Sequence, residues 1–111
     1  MLGARSGSIP DLVVHPVQDA ARAMGILAEE DVDVIISDYL LGGTDGITLL
    51  ARAADVAADV PRVLLSGHLD EDVASRAVNR AHVAAIFVKP AIGEDFVAEI
   101  ERLVALHRAR S

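Results

Sequence analysis

Apolar positions along the chain follow two alternating patterns. Four short runs are apolar on consecutive positions: Asp11–His15 (DLVVH), Asp33–Ser37 (DVIIS), Arg62–Ser66 (RVLLS) and Ala84–Val88 (AAIFV). Runs of this kind, bounded by turn residues, suit parallel strands buried on both faces. Pro16 stops the first run, Pro61 precedes the third, and Lys89-Pro90 ends the fourth. Between the runs the apolar spacing becomes helical. Val17–Glu30 predicts a helix with Ala20, Met24 and Leu27 on one stripe, and Ile47–Ala58 one with Ile47, Leu50, Ala51 and Ala54 inward. Asp70–Arg80 predicts a polar-faced helix with acids in its first turn. Gly93–Arg108 predicts the last helix, with Phe96, Ile100, Leu103, Val104 and His107 at helical spacing. Glu94 and Asp95 open that helix and Arg108 and Arg110 close it, as the helix dipole favours. Tyr39–Gly46, holding Gly42-Gly43 and Asp45-Gly46, predicts a loop. Residues 1–10 (MLGARSGSIP) carry no period and predict a flexible lead before a domain spanning 11–111.

Four strand–helix units in succession predict an α/β fold, a parallel sheet with flanking helices and right-handed crossovers. Composition narrows the rest. With 111 residues the chain is one domain's length, and 52% hydrophobic with 24% charged residues is ordinary for a globular chain. A net charge of −7 and three aromatics (Tyr39, Phe87 and Phe96) disfavour direct nucleic-acid binding. No apolar run is long enough to span a bilayer and no secretory pattern opens the chain, so a cytoplasmic protein with no membrane partner is expected. The absence of cysteine removes disulfides and thiolate chemistry. His15, His68, His82 and His107 lie on different elements without zinc-type spacing, and no phosphate-cradling glycine motif is present.

In open parallel sheets the functional residues gather at the carboxyl ends of the strands. There the sequence places three chemically distinct groups: Asp38 after DVIIS, Ser66 at the end of RVLLS, and Lys89 after AAIFV. Lys89 is the sole lysine among ten basic residues, in a chain that otherwise uses arginine. Adjacent strands lie about 4.8 Å apart, so the three can converge. A carboxylate can attack a phosphoryl group to form an acyl phosphate, while a lysine neutralises and a hydroxyl hydrogen-bonds its oxygens. An Asp38 that merely caps a turn, and a Ser66-Gly67 that merely makes one, are the bland alternatives.

Three stretches together resemble the receiver domain of bacterial two-component response regulators, in order and in spacing. Val34-Ile35-Ile36-Ser37-Asp38-Tyr39-Leu40-Leu41-Gly42-Gly43-Thr44-Asp45-Gly46 is similar to the family's phosphoacceptor strand and loop. Leu64-Leu65-Ser66-Gly67 is similar to its switch-hydroxyl strand, and Ile86-Phe87-Val88-Lys89-Pro90 to its lysine–proline end, whose peptide bond is typically cis. The resemblance runs from about Gln18 to Leu106. It implies a flavodoxin-like fold and a signalling module of a phosphorelay, not an enzyme. Asp38 would be the phosphoacceptor, Ser66 the moving hydroxyl and Lys89 the counter-charge. Asp38 and the backbone carbonyl of Leu40 would be metal ligands, and a sensor histidine kinase or phosphotransfer protein the partner.

The chain also departs from that family. Only 37 residues precede Asp38, where two strand–helix units would need about 50. The pattern therefore predicts that the first unit, with the acidic pair that holds magnesium, is lacking, by nature or through a misplaced start. A weak or absent magnesium site is expected, since Asp33, five residues before Asp38, lies about 16 Å away along a strand. An uncovered sheet face predicts a homo-oligomer. Gly42 stands where the family usually has proline, and Ile86 where it usually has a rotating Tyr or Phe. These departures favour, as the alternative, a phosphorylation-independent pseudo-receiver acting by dimerisation or docking. A small phosphohydrolase using the same aspartate ranks last.

Overall fold

Three of the four apolar runs pair into one parallel sheet. The computed structural model describes residues 15, 17, 19–41, 44–68, 70–90 and 93–110. In chain order its elements are α1 (Ala20–Glu29), β1 (Ile35–Asp38), β2 (Leu40–Leu41), β3 (Thr44–Asp45), α2 (Gly46–Val56), β4 (Arg62–Ser66), α3 (Glu71–Ala81), β5 (Ala85–Val88) and α4 (Glu94–Arg110). The sheet order is β1-β4-β5, with Asp38 opposite Leu65 and Ser66 opposite Val88. The parallel α/β architecture is therefore as the pattern predicts. The lead at 1–10, residues 11–14 of the predicted first strand and the Gly42-Gly43 pair lie outside the described residues.

Strand periodicity divides the apolar residues between two layers. On one face Val63 packs with Phe96, Ile100, Leu103 and Val104 of α4, flanked by Val34, Ile36, Leu65, Ala85 and Phe87. On the other face Leu64 packs with Ile47 and Leu50 of α2 and with Val73, Ala77 and Ala81 of α3, flanked by Ile35, Tyr39, Val83 and Ile86. Phe87 and Phe96 meet edge to face, with centroids 5.0 Å apart, which fixes the end of β5 against the first turn of α4.

Three helices start alike. Asp19 accepts from the Arg22 N–H (2.8 Å), Asp45 from Thr48 (2.7 Å) and Asp70 from Val73 (2.9 Å). Each side chain satisfies an orphan donor of the first turn. α4 instead follows Gly93, whose φ of +102° is one that L residues rarely adopt.

At the amino ends of the strands two charged groups do structural work. Arg62 is buried on the α2–α3 side of the sheet. Its Nε donates to the Ala81 carbonyl (2.8 Å), Nη1 to those of Ala58 (3.1 Å) and Val60 (2.7 Å), and Nη2 to that of His82 (3.2 Å). One guanidinium thus serves the carboxyl end of α3, where unpaired carbonyls and the negative end of the dipole collect, and the turn that follows α2. Asp33 accepts from Arg108 Nε (2.9 Å) and pairs with His107 Nδ1 (2.9 Å), clasping the end of α4 to the approach of β1.

The structure corrects the sequence reading in three places and completes it in a fourth. β1 runs Ile35–Asp38 rather than 33–37, because its first ladder bond is from the Ile35 N–H to the Pro61 carbonyl (3.0 Å) while the Asp33 side chain is turned to α4. Within the stretch read as a loop, β2 and β3 pair antiparallel, Leu40 opposite Asp45 and Leu41 opposite Thr44. In α2 the buried residues besides Ile47 and Leu50 are Gly46, Leu49 and Ala53, because α1 and α3 both pack on this helix and widen its covered face; Ala51 packs against the same core as predicted, and Ala54 is half-buried. In α4, His107 keeps the predicted helical spacing, and the structure adds its partners: it sits between Asp33 and Asp59, with Nε2 3.6 Å from the Asp59 carboxylate.

Candidate functional site

Asp38, Ser66 and Lys89 stand at the carboxyl ends of three neighbouring strands. The ladder extends past β1 and β5: the Tyr39 N–H donates to the Leu65 carbonyl (2.7 Å) and the Lys89 N–H to the Ser66 carbonyl (2.8 Å). These bonds hold the backbone on both sides of the central strand. Lys89 Nζ lies 3.1 Å from Asp38 Oδ1, and both side chains are nearly half exposed, at 44% and 45%. β4 lies between them, so the lysine reaches across two strand spacings, about 9.6 Å. The Lys89-Pro90 bond is cis, in agreement with the resemblance.

Ser66 is buried, and its hydroxyl donates to the His68 carbonyl while accepting from the His68 N–H (3.3 Å). It is thus engaged within its own turn. The His68 ring itself is 85% exposed and faces Asp70, in keeping with a solvated loop histidine.

Local packing sets the backbone of Asp38 closely. The Gly46 N–H donates to the Tyr39 carbonyl (2.7 Å), which brings the start of α2 onto the turn after β1. A Cβ at Gly46 would stand 2.0 Å from the Asp38 carbonyl oxygen and 2.9 Å from Ser37 Oγ. Ser37 Oγ, in turn, donates to that same carbonyl (2.9 Å). The Asp45-Gly46 pair reads in sequence as a turn; its second role, close approach to Asp38, has no separate sequence signal.

Sequence reasoning missed Arg76 altogether. Its Nη2 donates to the Tyr39 hydroxyl (2.7 Å) and its Nε to Asp72 (3.1 Å), while Nη1 is 3.8 Å from Asp45 Oδ2. The guanidinium carbon lies 5.7 Å from the centre of the Tyr39 ring, a cation–π distance. No spacing rule connects position 76 with position 39.

A divalent cation prefers several oxygen ligands, carboxylates foremost. At this site Asp38 supplies one carboxylate, already facing Lys89, and the Leu40 carbonyl is the other expected donor. Among the described residues no group of three or more His, Asp or Glu lies together to hold a metal ion. The described residues alone therefore do not complete a magnesium site. Among them, too, no helix is long and apolar enough to cross a membrane.

Comparison with known proteins agrees with this geometry. The family model of the response regulator receiver domain matches residues 7–101. The chain is 30% identical over 87 residues, 78% of its length, to the bacterioopsin transcriptional activator of Halobacterium salinarum. It is 24% identical over 91 residues, 82% of its length, to the hydrogenase transcriptional regulatory protein HoxA of Cupriavidus necator. It spans only 12% and 19% of these two relatives. Among solved structures, the signal receiver domain of an HD domain-containing protein from Pseudomonas fluorescens superposes with a TM-score of 0.80 at 28% identity, covering 86% of this chain and 71% of that one.

Proposed function

The chain belongs to the response regulator receiver domains of two-component systems, and from that premise we propose that Asp38 accepts a phosphoryl group and that the modified domain regulates a partner. The observation that carries this reading is the 3.1 Å approach of Lys89 Nζ to Asp38 Oδ1, with Ser66 at the end of the strand between them. In the proposed step an Asp38 carboxylate oxygen attacks phosphorus. A P–O bond forms to Asp38 as the bond to the donor, a phosphohistidine of a sensor kinase or phosphotransfer protein, breaks. The transferred group spreads negative charge over its equatorial oxygens, so the residues around it contribute mainly charge and position. Lys89 would neutralise one oxygen. Ser66 can donate to another once its hydroxyl leaves the His68 carbonyl, which ties the event to the turn preceding α3.

A second reading has one specific observation in its favour. Ile86, at the position where the family usually carries a rotating aromatic, packs in the core beside α2 and α3. An aliphatic side chain held there cannot relay a ring rotation. This favours a pseudo-receiver that acts by docking, without phosphorylation.

Intact-mass detection after treatment with acetyl phosphate, with and without magnesium, tests the choice. An adduct present in the parent protein and lost in Asp38→Asn supports phosphoryl acceptance. A folded parent protein that forms no adduct overturns it in favour of docking.

A further inference from the structure

We propose that Arg76 of α3 is a positioning residue for Asp38, acting through Tyr39 and Asp45. The inference rests on the reading of Asp38 as phosphoacceptor. It concerns how the backbone that carries this carboxylate is held, and by which helix.

The segment leaving Asp38 is short and closes on itself. Tyr39 begins it and Asp45 ends it, and the β2–β3 pairing sets Leu40 opposite Asp45. Arg76 touches both ends. Its Nη2 donates to the Tyr39 hydroxyl at 2.7 Å, its Nη1 lies 3.8 Å from Asp45 Oδ2, and the guanidinium stands over the Tyr39 ring. Asp45 is itself committed, because its Oδ1 caps α2 by accepting from the Thr48 N–H at 2.7 Å. A single guanidinium therefore ties the two ends of the segment after Asp38 to α3 and, through the cap, to α2. Arg76 Nε also donates to Asp72, one turn back on α3, in an exposed contact that reaches neither Tyr39 nor Asp45. The planar, multidirectional donor set of arginine allows three such contacts at once, where a lysine ammonium would act as one point charge.

Asp38 cannot shift without Tyr39 following. The Tyr39 N–H is bonded to Leu65, its carbonyl receives the Gly46 N–H, and its hydroxyl is held by Arg76. Two of these three restraints are backbone bonds within the sheet and turn. The third is the only one that comes from α3, so it makes the placement of Asp38 depend on where that helix lies. A partner that moved α3 would thereby change the reactivity of Asp38.

The test compares Arg76→Gln, Tyr39→Phe, the double variant, Arg76→Lys and Asp72→Asn in the whole chain. The readouts are the Asp38 carboxyl carbon signal by NMR in the unmodified protein, the initial rate of adduct formation with acetyl phosphate, and the denaturation midpoint. Arg76→Gln and Tyr39→Phe should each move the Asp38 signal and slow the adduct roughly tenfold, since small misplacements of a reacting group are costly. The double variant should be no slower than either single one, because the two residues act as a unit. Arg76→Lys should not restore the rate, and Asp72→Asn should leave the Asp38 signal in place. A fall in stability in Arg76→Gln and Tyr39→Phe with the Asp38 signal and rate unchanged would overturn the proposal, leaving a purely structural tie. If the parent protein forms no adduct, the phosphoacceptor reading fails. The Asp38 signal then decides alone: movement in Arg76→Gln and Tyr39→Phe but not in Asp72→Asn supports the tie to Asp38, and no movement overturns it.

Discussion

Lys89 reaches across the central strand to place its ammonium 3.1 Å from the Asp38 carboxylate. Both groups are nearly half in water, where an ion pair contributes little to stability. A pair that stabilises little, formed by the sole lysine of the chain, is better explained by what it would meet than by what it holds together. Lys89→Ala should therefore change the unfolding free energy by less than about 1 kcal/mol, while adduct formation at Asp38 falls sharply. Urea denaturation beside intact-mass kinetics measures both. Equal loss of stability and of adduct would point to a structural lysine.

The close approach of α2 to Asp38 gives a second prediction. A methyl group at Gly46 would collide with the Asp38 carbonyl at 2.0 Å, and backbone on backbone cannot yield as a flexible side chain would. Gly46→Ala should cost about 1–3 kcal/mol, the range for forcing extra volume into packed structure. It should also shift the Asp38 amide signal. A Gly25→Ala variant is the control, since a Cβ at Gly25 meets nothing within 4 Å. If the two variants were equally stable, the contact inferred at Gly46 would be wrong.

Arg62 supports a third. It is buried, burial lowers its guanidinium from the ordinary value, and its partners are carbonyls rather than a carboxylate. Removing it leaves four carbonyls, two at the end of α3 and two in the turn after α2, without this donor, so Arg62→Ala should destabilise the fold by about 3 kcal/mol. Arg62→Lys keeps the charge but loses the fork, and should recover only part of that. Thermal denaturation of both variants is the measurement. Full recovery by lysine would mean that charge alone matters at this position.

How much of this was legible beforehand follows from which interactions are local. The strand ends bearing Asp38, Ser66 and Lys89 follow from apolar runs and their punctuation, because burial on both faces of a parallel strand leaves a continuous signature. The phosphoacceptor reading needed the three together. Asp70 and the acids after it could be seen as a helix start for the same local reason. Arg62, by contrast, reads as a polar residue at the edge of a strand. Its partners at 58, 60, 81 and 82 come together only when α2 and α3 dock side by side. His82 is instructive here. It adopts a left-handed conformation at the end of α3, where glycine is the usual occupant, and its carbonyl is held by Arg62. The link between Tyr39 and Arg76, 37 positions apart, is likewise created by tertiary packing and leaves no periodic trace. The spacing of His107 fits the inward stripe of α4, but spacing cannot reveal that Asp33 waits opposite.

That last contact yields a pH prediction. Burial raises the Asp33 carboxyl, but the hydrogen bonds and positive charges of His107 and Arg108 outweigh it and hold the group below its ordinary value of 3.8. A carboxyl whose folded value is depressed contributes stability that is fully present above the unfolded value and is lost as pH falls through the folded one. In that window the unfolded chain binds the proton first, so stability must fall with acidification. The parent protein should therefore lose stability as pH drops below about 4. Asp33→Asn should be less stable at neutral pH and should show a flatter acid limb, with the two curves converging at the lowest pH. Because the clasp joins the end of α4 to the approach of β1, amide exchange in the last turn of α4 should accelerate over the same range in the parent protein only. Parallel acid limbs for the two proteins would show that the stability lost on acidification comes from other carboxylates.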